Sequence, residues 1–129
     1  MTHLRGVKPA LNPDREPLTK APPAPKRLND YARAEWRRIM PQLITRRTIT
    51  KADLAGVENY CIAVGAVNQI AEIMASMAVP DLKLGGLQIR YMQTARQLAA
   101  EYGLTPTSRA RIGADTASDD DDDNPLAVR

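Results

Sequence analysis

Six of the ten prolines in this 129-residue chain fall within its first 28 positions: Pro9, Pro13, Pro17, Pro22, Pro23 and Pro25. Proline fixes φ and removes a backbone donor, so neither a regular helix nor a central strand forms across such spacing. With Lys8, Arg15, Lys20, Lys26 and Arg27 interleaved, residues 1–28 read as an extended, basic, disordered arm. At the other end five consecutive aspartates, Asp119–Asp123, repel one another, and residues 114–129 read as an acidic, disordered tail. Folding is thereby confined to residues 29–113, a single small domain. The chain has no Phe and one Trp, so that domain buries a modest core, and oligomerisation is a common remedy for a core of that size.

Charge follows the same division. Residues 1–47 hold eleven Lys/Arg against four Asp/Glu, residues 48–104 hold four against five, and residues 105–129 hold three against six. A basic front and an acidic tail flank a near-neutral middle, an asymmetry that suits a polyanionic partner at one end and a solvated or regulatory segment at the other.

Within the foldable region every periodicity is helical, which predicts an all-α class. The first helix starts at Asn29 or Asp30, both good N-caps. Trp36, Ile39, Met40 and Leu43 then form one apolar stripe. Pro41 is expected to kink this helix or to divide it in two, and Arg46 and Arg47 sit where positive charge suits the helix dipole. The second and longest helix is capped by Thr50, with Asp53 in the capping-box position, and is expected to run from Lys51 to about Val79, before Pro80. It carries two stripes: Leu54, Val57, Cys61 and Val64 on one face, and Ile62, Ala66, Ile70, Ile73 and Met77 on a rotated one. Two faces allow either a helix sandwiched within its own domain or a helix shared between subunits, and the small core favours assembly. Gly65 would let another helix come close. Residues 80–86 read as a loop with Gly85-Gly86 at its end. A third helix follows from Leu87 to Tyr102, closed by Gly103, and Thr105-Pro106 then starts a short turn of helix to Ile112.

The same residues exclude several classes of function. Cys61 is the only cysteine and His3 the only histidine, so no intrachain disulfide, zinc cluster or Ser/His/Asp set can be built. Cys61 reads as a small buried apolar residue in a reducing compartment. No phosphate-cradling glycine motif is present. Paired carboxylates occur only in the tail, where nothing fixes their geometry, so neither a cofactor nor a metal is expected and the chain reads as a non-enzyme. No apolar run is long enough to span a bilayer and the start lacks a secretory signal, so no membrane association is expected.

The arginines of the first helix are the leading functional candidates. Arg33 and Arg37 share a face and Arg38 flanks it, and the guanidinium fork matches phosphate oxygens. Pairing with Glu35 and Asp30 on a solvated face explains them equally well. Arg109 and Arg111 diverge and take no role from spacing alone.

Four stretches together resemble the small terminase subunits of tailed bacteriophages. They are Arg5-Gly6-Val7-Lys8-Pro9; Ala34-Glu35-Trp36-Arg37-Arg38-Ile39 with Pro41, after the proline-rich linker; Ile49-Thr50-Lys51-Ala52-Asp53-Leu54 with Tyr60-Cys61; and Gly103 to Ile112. The resemblance implies a non-catalytic ring in the cytoplasm of the infected host. Such a ring binds double-stranded viral DNA at the packaging-initiation site and regulates the large terminase subunit, which carries the ATPase and nuclease. On that basis the DNA contacts are assigned to Arg33, Arg37, Arg38, Arg46 and Arg47, assisted by Lys8, Lys26 and Arg27. Subunit contacts are assigned to Leu54, Val57, Ile62, Ile70 and Ile73. Small terminases often read DNA with a helix-turn-helix, and the front half here offers none, which points to backbone wrapping or shape readout. The tail has two readings: contact with the large subunit by analogy, and competition with DNA for the basic front. The alternative to this whole assignment is a small helical, dimeric DNA-binding transcriptional regulator.

Overall fold

The computed structural model describes residues 16–111 of the chain. Three helices follow one another, α1 (Asp30–Arg46), α2 (Leu54–Ala75) and α3 (Leu82–Glu101), with a 3-10 turn at Lys51–Asp53 leading into α2. Residues 106–111 are helical as well, and no strand occurs among the described residues. Each helix reverses the direction of the one before it. Tyr31 near the start of α1 donates to Glu72 near the end of α2 at 2.7 Å, and Gln88 near the start of α3 donates to the Val67 carbonyl at 3.1 Å. The central helix is α2, and it packs against both α1 and α3.

Local signals set the helix ends. The Asn29 side chain accepts the Ala32 N–H at 2.9 Å and starts α1. The helix continues through Pro41 as a single element. Pro41 is exposed, so the Arg37 carbonyl that loses its partner there can turn to water. Arg47 ends α1 in the left-handed region, φ 53°, with its N–H on the Ile44 carbonyl at 3.1 Å and the Thr48 N–H on the Leu43 carbonyl at 3.4 Å. This is a Schellman closure with arginine where glycine is usual. The Asp53 carboxylate accepts the Thr50 N–H at 2.9 Å, as the capping-box reading requires. Gly103 adopts φ 67° past the end of α3, and the Leu104 N–H reaches the Ala99 carbonyl at 2.8 Å. The Thr105 hydroxyl accepts the Ser108 N–H at 3.1 Å and caps the terminal turn.

Two helix boundaries and the order of the proline-rich segment differ from the sequence reading. α2 stops at Ala75 rather than near Val79, because its last turn tightens: Ser76 and Met77 donate three residues back, and the Ser76 hydroxyl also bonds the Ile73 carbonyl at 2.9 Å. α3 starts at Leu82 rather than Leu87, because Asp81 caps it by accepting the Leu84 N–H at 2.8 Å. Gly85 and Gly86 therefore lie inside a helix and not in a turn. The proline-rich segment also differs from a disordered arm over the part described. Residues 16–28 lie along the helices as a strap, with the Leu18 N–H on the Ile49 carbonyl at 2.9 Å and the Pro22 carbonyl accepting the Trp36 indole N–H at 3.0 Å. Proline restricts the unfolded chain, so ordering such a segment costs little entropy once two anchors hold it.

Leu28, Trp36, Ile39, Met40 and Leu43 meet Val57, Tyr60 and Cys61 in one core, with Ala99 of α3 closing it. The first stripe of α2 faces this core. The second divides, with Ile70 buried and Ile62, Ile73 and Met77 exposed. Exposure continues across the turn into α3, where Val79 is 75% and Leu82 92% exposed.

Cys61 is fully buried, and burial pushes its thiol from the ordinary 9.0 up to about 12. The Tyr60 phenol is pushed up too, by burial and then by its bond to Glu35. An acid whose folded pKa is raised stabilises the fold fully below the unfolded pKa and loses that contribution as pH climbs through the folded value. Stability is therefore expected to fall between pH 9 and 12, and Cys61→Ala to flatten the fall, in urea titrations at stepped pH. Identical slopes for the two proteins would show that the thiol stays solvated.

Candidate functional site

The cations that the sequence groups together meet different fates. Arg27 is pinned: its Nε and Nη2 bond the Glu58 carboxylate, Nη2 at 2.6 Å, and these bonds raise its pKa. Arg38 is held in the same bidentate way by Glu35, with Nε to Oε1 at 2.7 Å, and the bond raises its pKa. Glu35 is itself buried and also accepts the Tyr60 hydroxyl at 2.7 Å. Such a carboxylate is stable in the interior only while its partners stay in place. Arg27 and Arg38 thus serve the fold first, and for Arg38 the pairing with Glu35 is the one foreseen from spacing.

Arg46 bridges the helix ends, with Nη1 on the Gly103 carbonyl at 3.0 Å and Nη2 on Gln42 Oε1 at 3.2 Å. Arg47 closes α1 through its backbone and leaves its side chain exposed. An arginine in the left-handed region is strained by about 1 kcal/mol relative to glycine. Arg47→Gly is therefore expected to raise the unfolding free energy by about that amount while removing a surface cation. Denaturant unfolding and duplex-DNA titration read the two effects separately; a less stable variant would mean that the Arg47 side chain holds a contact the fold needs.

Three cations converge. Arg33 reaches back to the strap, with Nη2 on the Leu28 carbonyl at 3.0 Å and the Lys26 carbonyl at 3.3 Å. Its Nε is buried with no partner. Together with Arg37 and Lys26 it rims an open groove of about 430 Å³ between the strap and α1, floored by Pro22, Pro23, Trp36 and Met40. No acidic residue lines this groove. Arg37 and Lys26 are exposed, and neither side chain makes a hydrogen bond or ion pair among the described residues. The groove can therefore take an anion on its rim and apolar or planar groups on its floor.

Sequence reasoning missed this groove because half of it belongs to the strap. The available signal was Trp36 itself: a tryptophan on an apolar stripe needs an acceptor for its indole N–H, and a proline-rich segment has unused carbonyls. Lys8 lies outside the described residues. Of the residues assigned to subunit contacts, Val57 and Ile70 are buried within this chain and Leu54 is half-buried against the core, whereas Ile62 and Ile73 remain exposed.

A family model described as phage terminase, small subunit, matches residues 32–119, about two thirds of the chain. It begins in α1, one residue before Arg33 of the groove, and runs through α2 and α3. Neither a curated protein nor a solved structure matches the chain.

Proposed function

This chain belongs to the phage terminase small subunit family, and on that premise we propose that it is a non-catalytic DNA-packaging adaptor that assembles as a ring, binds double-stranded viral DNA and regulates the large terminase subunit. The family places it in phage DNA packaging. The observation that carries the finer reading is the pairing of two surfaces on one small domain: a cation-rimmed groove at α1 and an exposed apolar band at the α2–α3 turn. No helix among the described residues is long and apolar enough to cross a membrane.

DNA contact falls to Lys26, Arg33 and Arg37, with Arg46 and Arg47 adding charge at the C-terminal end of α1. Arg27 and Arg38 add charge from fixed positions, and Lys8 precedes the strap. Contacts of this kind go to phosphates and carry little sequence information. Subunit contact falls to Ile62 and Ile73 on α2 together with Leu82 and Leu87, all exposed in the single chain. Val57 and Ile70 act beneath them by holding α2 in place.

The mass of the assembly in solution, measured by light scattering at two concentrations, tests the ring. A closed oligomer of many subunits supports it, and a two-fold dimer moves the assignment to the dimeric DNA-binding regulator. Salt-dependent titration with duplex DNA tests the groove. Arg37→Ala is expected to weaken binding uniformly across sequences and to lower the salt slope by about one. Arg38→Ala, which removes a cation already committed to Glu35, is expected to lower stability more than DNA affinity. Equal losses of affinity from the two variants would sink the groove as the phosphate site.

A further inference from the structure

The groove has a complement in charge and polarity elsewhere in the same polypeptide. Its rim is wholly cationic and its floor wholly apolar. The segment Asp119–Asp123 is followed at once by Asn124-Pro125-Leu126-Ala127-Val128. A five-aspartate run beside a short apolar stretch is the complement of that surface in both charge and polarity order. We infer that the tail of this chain docks into its own groove, the aspartates on Lys26, Arg33 and Arg37 and the Pro125-Leu126 pair against Pro22 and Pro23 above the buried Trp36, and thereby competes with DNA for the same cations.

Chain geometry allows this. The end of α3 is tied to the end of α1 by the Arg46–Gly103 hydrogen bond of 3.0 Å. Pro41, on the groove wall, lies five residues back from Arg46, about 8 Å along α1. The helical residues 106–111 add about 9 Å beyond Gly103. Residues 112–118 can span up to about 25 Å, and Arg37 and Arg33 lie about 14 Å and about 20 Å back from Arg46 along α1. The docking rests on the groove and the tail alone. Only its regulatory meaning rests on the DNA-binding reading, so the two can fail separately.

The test uses the full chain. Trp36 is the only tryptophan and forms part of the groove floor. Cys61 is buried with a raised thiol pKa, so a nitroxide attached through Ser118→Cys labels one site. Trp36 emission is expected to fall to half or less of that in the same protein carrying a diamagnetic label, and to recover when Asp119–Asp123 are all changed to Asn, or on Arg37→Glu. Emission equal to the diamagnetic control would overturn the docking, as would quenching that survives Arg37→Glu. Saturating duplex DNA should restore emission; quenching unchanged by bound DNA would overturn the competition.

Discussion

Gly65→Ala should destabilise this protein by about 3 kcal/mol, lowering its thermal midpoint by about 15 °C. On an exposed helix the same change would stabilise by about 1 kcal/mol, since alanine is the better helix former. The sign reverses here because α1 crosses α2 at this position. A Cβ at Gly65 would stand 2.6 Å from the Ala32 nitrogen and 2.8 Å from the Ala32 Cα. Those are backbone atoms in the first turn of α1, so no side chain can swing aside; the helices must separate. Separation would also stretch the Tyr31–Glu72 and Tyr60–Glu35 hydrogen bonds that span the same interface. Gly86→Ala is the internal contrast, because a Cβ there meets nothing within 4 Å, and it should raise stability by about 1 kcal/mol. A Gly65→Ala protein with a raised midpoint would show that α1 does not lie against α2 at Ala32.

Trp36→Ala should cost about 4 kcal/mol and dismantle the groove as well as the core. Trp36 is 4% exposed, packs among Ile39, Met40 and Leu28, and holds the strap through the Pro22 carbonyl at 3.0 Å. Removing the ring leaves a cavity and frees the strap at its central anchor. Trp36→Phe keeps most of the ring and loses only the donor, so about 1–2 kcal/mol is expected. Hydrogen exchange at the Leu18 amide separates packing from anchoring. That N–H bonds the Ile49 carbonyl at 2.9 Å, and its exchange should accelerate in Trp36→Ala well beyond the change in global stability. Protection at Leu18 that follows global unfolding alone would mean the strap is held without Trp36. Because the strap supplies Lys26 and half of the groove floor, loss of its order should reduce DNA affinity and tail docking together.

The features read correctly from sequence share one property: each is an interaction between residues three to five apart. The Asn29 cap, the Thr50–Asp53 box, the Gly103 closure and the Thr105 cap before Pro106 belong to this class. The Asp81 cap is equally local, but reading residues 80–86 as a loop ending in Gly85-Gly86 puts the helix start at Leu87, five residues late. The Arg38–Glu35 pair is also local, and spacing offered it as one of two readings. By contrast, Arg27 with Glu58, Tyr60 with Glu35, Arg46 with Gly103, and Trp36 with Pro22 join residues 14 to 57 positions apart. No periodicity announces such pairs.

The sequence by itself therefore determined the all-helical class, the caps and the stripes, because those follow from backbone donors and side-chain spacing within a turn or two. It also carried the family, through short motifs kept in order. Tertiary structure alone decided which arginines are spent on buried carboxylates and which stand free, that Ile70 faces inward while Ile62 and Ile73 face out, and that a proline-rich strap completes a groove over Trp36. These outcomes depend on which helix faces meet. That is a property of the packed chain, settled by burial of apolar surface and satisfaction of every buried polar group at once.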